Sequence, residues 1–131
     1  MIFRFDPKRR LIPVTARIEG PSGVAEVLLA LDTGASRTML SPTHLAAVGC
    51  DVPTDAESIV VTTGSRREIM PLRKLPKLSA LGHSLAEFTV LAHQLPSGAA
   101  ASGLLGLDFF AGCRLELDFR AGTIRLEPPD A

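Results

Sequence analysis

The stretch that decides the reading is Ala30-Leu31-Asp32-Thr33-Gly34-Ala35-Ser36, which continues an apolar run beginning at Val24. An acidic side chain directly after such a run is costly if it lies in the core, because an unpaired buried charge is expensive. The residues alone allow two readings. One is an ordinary strand exit, for which Asp-Thr-Gly is chemically comfortable. The other is a carboxylate kept at a strand end for chemistry. A second apolar segment, Gly103-Leu104-Leu105-Gly106, again ends in Gly and runs into a short helical pattern at Leu107 to Gly112.

Working outward, Leu11 to Glu19 mixes β-branched and polar residues, Gly20-Pro21-Ser22-Gly23 reads as a turn, and Val24 to Leu31 is almost wholly apolar. This predicts a hairpin whose second strand is buried on both faces. Ser41-Pro42 opens a short helix over His44 to Val48, with Ser as N-cap, Pro at its first position and Gly49 as its stop. Ile59 to Thr63 and Arg67 to Leu75 flank Gly64-Ser65. Pro71 interrupts the returning strand and predicts that it lies at a sheet edge, since Pro cannot donate to a ladder. Leu78 to Leu81 and Ala86 to His93 flank Gly82-His83 as another hairpin. Pro96 to Ser102 reads as a loop, and Arg114 to Phe119 with Thr123 to Leu126 form a last hairpin. Many short strands with one or two short helices make a mostly-β domain over residues 1–131.

Composition narrows the function. The 131 residues carry 14 Lys plus Arg and 14 Asp plus Glu, so the formal charge is zero. A sequence-independent nucleic-acid binder shows a basic excess, and none is present. The two cysteines, Cys50 and Cys113, have no ligand-spaced partners and read as buried thiols, with a disulfide between them left open. No metal or other cofactor is expected. No apolar run reaches the ~18–20 residues of a membrane span. Met1 to Arg10 is charged throughout, with no apolar core of a signal peptide, so the expectation is a cytoplasmic protein without membrane association. The 46% hydrophobic content points to a buried subunit interface.

Taken together, Leu31-Asp32-Thr33-Gly34-Ala35-Ser36 with Thr38 following, the hairpin Thr62-Thr63-Gly64-Ser65, and Leu104-Leu105-Gly106 resemble the retropepsin-like aspartic proteases. These are the single-domain family that includes the retroviral proteases. The order fits over about residues 11 to 127, and the GLLGLDF element at Gly103 to Phe109 is most like bacterial members. The resemblance implies a retropepsin-like acid-protease barrel and an aspartic peptidase (a hydrolase). Asp32 would be the catalytic carboxylate. Thr33 would hydrogen-bond across a two-fold axis beneath it, and Gly34 would offer its carbonyl to the substrate. Ala35, Met39 and Leu104 would line pockets beside the scissile bond, and Thr63, Gly64 and Ser65 would tip a flap above it.

Water attack on an amide needs one carboxylate to take a proton and a second, protonated, to polarise the carbonyl. This chain has one Asp-Thr-Gly, so the dyad requires a homodimer that places one Asp32 from each subunit about a two-fold axis. The expected substrate is a peptide or protein cut between apolar residues. Two departures concern the dimer. Retroviral members carry an acidic residue and an Arg where this chain has Ser36 and Leu107. Arg66 and Arg67, beside the flap tip, read as a solvated turn. Asp108 reads as a helix-positioning residue, Asp118 as a hairpin residue beside Arg120, and His44, His83 and His93 as surface or helix-face histidines. The alternative from a different class is a non-catalytic peptide-binding or scaffolding domain of the same fold. A small all-β interaction domain with an accidental Asp-Thr-Gly is a third.

Overall fold

The computed structural model describes residues 1–129. In chain order its elements are β1 (Ile2–Arg4), β2 (Pro13–Gly20), β3 (Gly23–Leu31), β4 (Met39–Leu40), α1 (Pro42–Ala47), β5 (Ser58–Thr63), β6 (Arg66–Ala80), β7 (His83–Ala92), β8 (Gly103–Leu105), a 3-10 turn (Leu107–Phe110), β9 (Arg114–Asp118) and β10 (Thr123–Glu127).

Local chemistry explains the punctuation. The Ser41 hydroxyl accepts the Thr43 amide and Pro42 takes the first helical position, so α1 starts where its capping residues demand. The β6–β7 hairpin turns on Leu81-Gly82, not on Gly82-His83. Both turn residues have positive φ, 53° and 75°, which matches the twist of a two-residue hairpin loop. The final hairpin is capped by Asp118, whose Oδ1 accepts the amides of Arg120 and Ala121, both at 2.9 Å.

The strands close into a mixed barrel. β2 pairs with β3, β3 with β8, β8 with β4, β4 with β7 and β7 with β6, and β6 returns to β2. The β3–β8 and β4–β7 pairs are parallel and the others antiparallel. β5 stands outside this ring, attached to β6 alone. A three-stranded sheet, β1-β10-β9, packs alongside and sends Ile124 and Leu126 into the core.

Three features differ from the sequence reading. β3 is buried on one face only, since Val24 and Leu28 are 50% and 40% exposed while Val27 and Leu29 point inward. β6 is one strand, joining the predicted Arg67–Leu75 and Leu78–Leu81 segments; its first part, Arg66–Pro71, pairs with β5 alone and is open on its other side, as Pro71 predicts, and from Leu72 on it pairs with β7. Its prolines fall where no donor is missed. The Leu72 amide bonds to the Glu57 carbonyl at 2.7 Å, so position 71 faces the other side, where pairing with β7 begins only at Leu72. Pro76 lies after β5 has left and before β2 pairs at Lys77. Finally, the charged N-terminus contains β1, which pairs with β10.

The main core fills the barrel with residues such as Ile18, Leu29, Leu40, Leu75, Leu78, Val90, Leu105 and Phe109, all shielded from solvent. A second, smaller apolar cluster of Met39, Met70 and Leu91 lies beneath the β5–β6 hairpin, with Ile59, Val61, Leu72 and Leu104 packed against it. Among the described residues, no helix is long and apolar enough to cross a membrane.

Candidate active site

Asp32 is the first residue beyond β3. The strand end is gripped from both sides: the Leu31 amide donates to the Ile12 carbonyl at 2.9 Å, and the Asp32 amide to the Leu105 carbonyl at 3.0 Å. The chain then turns. The Ala35 amide donates to the Asp32 carbonyl at 3.2 Å, and the Gly34 amide to Asp32 Oδ1 at 2.9 Å. Asp and Asn favour this turn because their side chains accept an amide two residues on. The half-buried carboxylate is thus oriented by its own backbone, and its second oxygen makes no hydrogen bond among the described residues.

The rest of the loop is fastened to the segment after β8. The Leu107 amide donates to the Ala35 carbonyl at 2.8 Å. Asp108 reaches across to the buried Thr38, accepting its amide at 2.9 and 3.0 Å and its hydroxyl at 2.8 Å. The Thr38 hydroxyl in turn accepts the Gly106 amide at 3.1 Å. The two segments approach so closely that side chains are excluded. A Cβ on Gly106 would lie 2.7 Å from the Arg37 carbonyl, and one on Gly103 would lie 2.1 Å from the Met39 carbonyl oxygen. This contact gives the glycines of Gly103-Leu104-Leu105-Gly106 their physical reason. Asp108 positions the loop as well as the short helix.

A cavity of about 490 Å³ opens between this loop and the β5–β6 hairpin, a volume suited to a small ligand or peptide side chains. Asp32, Gly34, Ala35, Met39, Thr63, Gly64 and Leu104 all line it, so residues from distant parts of the sequence meet at one site. Ser65, expected with them, does not line it. Thr33 faces the other way and, with Asp32, lines a second cavity of about 250 Å³ beside Arg9, Arg10, Ile12 and Phe119. A third cavity, about 330 Å³, lies beside α1 and contains none of these residues.

Sequence reading missed Ser36, Arg37, Ile59, Val61 and Leu91 as cavity residues. Alternation along β5 signals the inward pair Ile59 and Val61. Leu91 follows only from its register opposite Met39, which no local pattern reveals. Arg66 and Arg67 are exposed, as a solvated turn requires.

The histidines are a correction, because His83 is buried and packs edge-on against Phe109 with ring centroids 5.2 Å apart. His44 is half-buried on α1, and His93 stands 3.6 Å from Glu68 of the hairpin. Cys50 and Cys113 are both free thiols. Cys50 is buried, whereas Cys113 is partly exposed, its thiol pushed above the ordinary range by desolvation. Among the described residues, no three His, Cys, Asp or Glu side chains gather where they could hold a metal ion.

Comparison with known proteins agrees with this geometry. The family described as "Aspartyl protease" matches residues 14–109. Among solved structures, a retropepsin-like aspartic protease from Rickettsia conorii is similar over 100% of this chain and 92% of that one, with a TM-score of 0.69 at 16% identity. No curated protein sequence matches. The family match spans the Asp32 loop, the hairpin and the segment that fastens them, and the barrel is retropepsin-like: the chain belongs to the aspartyl protease family.

Proposed function

We propose that the protein is an aspartic endopeptidase that cuts peptide bonds between apolar residues as a homodimer, with one Asp32 from each subunit forming the reacting pair. One observation carries this reading. Among the described residues, Asp32 is the only carboxylate lining the largely apolar cleft, and a second oxygen is left uncommitted by its turn. A lone carboxylate can accept a proton but cannot also donate one to the carbonyl, so the chemistry calls for a second copy.

In the pair, one Asp32 is ionised and one protonated, because two adjacent carboxylates do not both ionise. The ionised group takes a proton from water as its oxygen attacks the carbonyl carbon. The protonated group donates to the carbonyl oxygen. Collapse of the tetrahedral diol then breaks the C–N bond as a carboxyl proton passes to the leaving amine. Thr33, exposed on the face away from the main cavity, would hydrogen-bond across the axis. The Gly34 carbonyl would hold substrate backbone, while Ala35, Met39 and Leu104 would receive the flanking side chains. Thr63, Gly64 and Ser65 at the hairpin tip would cover the substrate.

The second reading, a peptide-binding domain without catalysis, is favoured by the same count, since one chain alone offers a cleft with half a dyad. Sedimentation velocity alongside specific activity, over a protein dilution series, separates the two. The expected result is activity that tracks the dimer fraction. A fully active monomer would overturn the shared dyad, and a dimer inert towards all peptides would favour the binding domain.

A further inference from the structure

Among the described residues, one charged residue besides Asp32 lines the main cavity. The lining is otherwise apolar or neutral, and the exception is Arg37. Like most arginines of the chain, Arg37 has no carboxylate within 4.0 Å among the described residues, so no acidic side chain competes for it there. Its backbone is held by its neighbours. The Arg37 carbonyl is pressed against Gly106, and the next residue is the Thr38 that Asp108 holds. A guanidinium is a planar fork that grips a carboxylate through two parallel N–H bonds. Here the exposed Arg37 stands on a fixed base at the edge of a cleft partly bounded by a hairpin, so little backbone ordering is needed when a carboxylate arrives.

We propose that Arg37 is a specificity residue that takes a carboxylate side chain of the bound peptide, close to the apolar residues at the scissile bond. The preferred substrates are then apolar segments flanked by Glu or Asp. This rests on the peptidase reading of the cleft and adds to it the charge of the substrate. Asp32 carries the opposite charge, so a peptide acid is drawn towards Arg37 and away from the reacting carboxylates.

The test uses acetylated, amidated octapeptides with a central Leu-Phe pair, in which Glu or Gln is scanned through the positions on either side. Near pH 6, well above the ordinary Glu value of about 4.3, the Glu peptide carries its charge. The expected kcat/KM ratio of Glu to Gln peptide is about three- to tenfold at one position. It should fall to about one in Arg37→Gln, drop below one in Arg37→Glu, and be partly retained in Arg37→Lys. Raising salt from about 50 mM to about 500 mM should shrink it, as screening requires.

The same peptides, fluorescently labelled, are titrated against Asp32→Asn protein with and without Arg37→Gln. This binding arm does not depend on catalysis, so an inert wild type would sink the peptidase reading while Arg37 is still tested. Equal Glu-to-Gln ratios with and without Arg37, in both arms, would overturn the proposal. So would an Arg37-dependent gain seen only with peptides ending in a free carboxylate, which would make Arg37 a reader of chain ends.

Discussion

The two walls of the cleft are built on opposite principles. From Asp32 to Thr38, the loop is tied to β8 and the 3-10 turn by the Asp32 amide, the Ala35 carbonyl, and the Thr38 amide and hydroxyl. Thr38 and its partner Asp108 lie 70 residues apart in sequence, and a satisfied, part-buried polar network holds one geometry. The facing hairpin has no such ties. Between Ser58 and Pro71 its strands pair only with each other, and Thr62 to Arg67 are exposed. It rests on the barrel through Ile59, Val61 and Met70, and through the half-exposed Glu68–His93 pair. Few buried contacts and exposed backbone mark a segment that opens at low cost. On the proposed peptidase reading, the difference would separate two tasks: the carboxylate must be placed within a fraction of an ångström, while the cover must lift to admit a chain.

The contrast can be broken first at Asp32. Asp32→Asn should lower peptide hydrolysis by at least ~10³-fold, the scale of losing a general acid–base group, with the melting temperature nearly unchanged. Mutant activity within about tenfold of wild type would mean the carboxylate is not the reacting group.

A smaller loss is expected at the fastening. Asp108→Ala leaves the Thr38 amide and hydroxyl without their partner in a part-buried site, costing about 2–4 kcal/mol. That corresponds to a melting temperature lower by roughly 10 °C, and kcat/KM should fall with it. Thr38→Ser, which keeps both donors, should behave nearly as wild type. A parental melting curve for Asp108→Ala would show that the loop does not need this tie.

The smallest effect belongs to the other wall. Glu68→Gln weakens the half-exposed Glu68–His93 contact and should change stability by less than about 1 kcal/mol, as exposed polar contacts generally do. Any kinetic change should appear in KM rather than kcat. A Glu68→Gln protein as impaired as Asp108→Ala would erase the distinction between a fixed wall and a loose one.

Much of this was legible before the structure. Ser41-Pro42 marked α1, turn residues marked the hairpins, and Asp32-Thr33-Gly34 with Leu104-Leu105-Gly106 marked the two segments that meet. These signals are local, or belong to short motifs. What escaped is set by register and long-range pairing. β4 is two residues long and β1 three, too short for any alternation to show. Pro71 marked a stretch open on one side, but that this strand continues past it to pair with β7 is not visible locally. Val24 and Leu28 are apolar yet outward, since a run of apolar residues does not reveal which alternate half faces the core. No local pattern marks Arg37, whose place in the cavity lining follows from packing of the hairpin beside its loop.

The Thr38–Asp108 tie joins residues 70 positions apart, and this has a consequence for how the molecule comes into being. The hairpins β2–β3, β6–β7 and β9–β10 close over short loops and can form early. The Asp32 loop acquires its shape only when β8 and the 3-10 turn reach it, a closure that costs more chain entropy and comes later. A nascent chain ending short of Asp108 therefore has the motif but not the site. During synthesis, the geometry of the Asp32 loop is withheld until most of the polypeptide has been made.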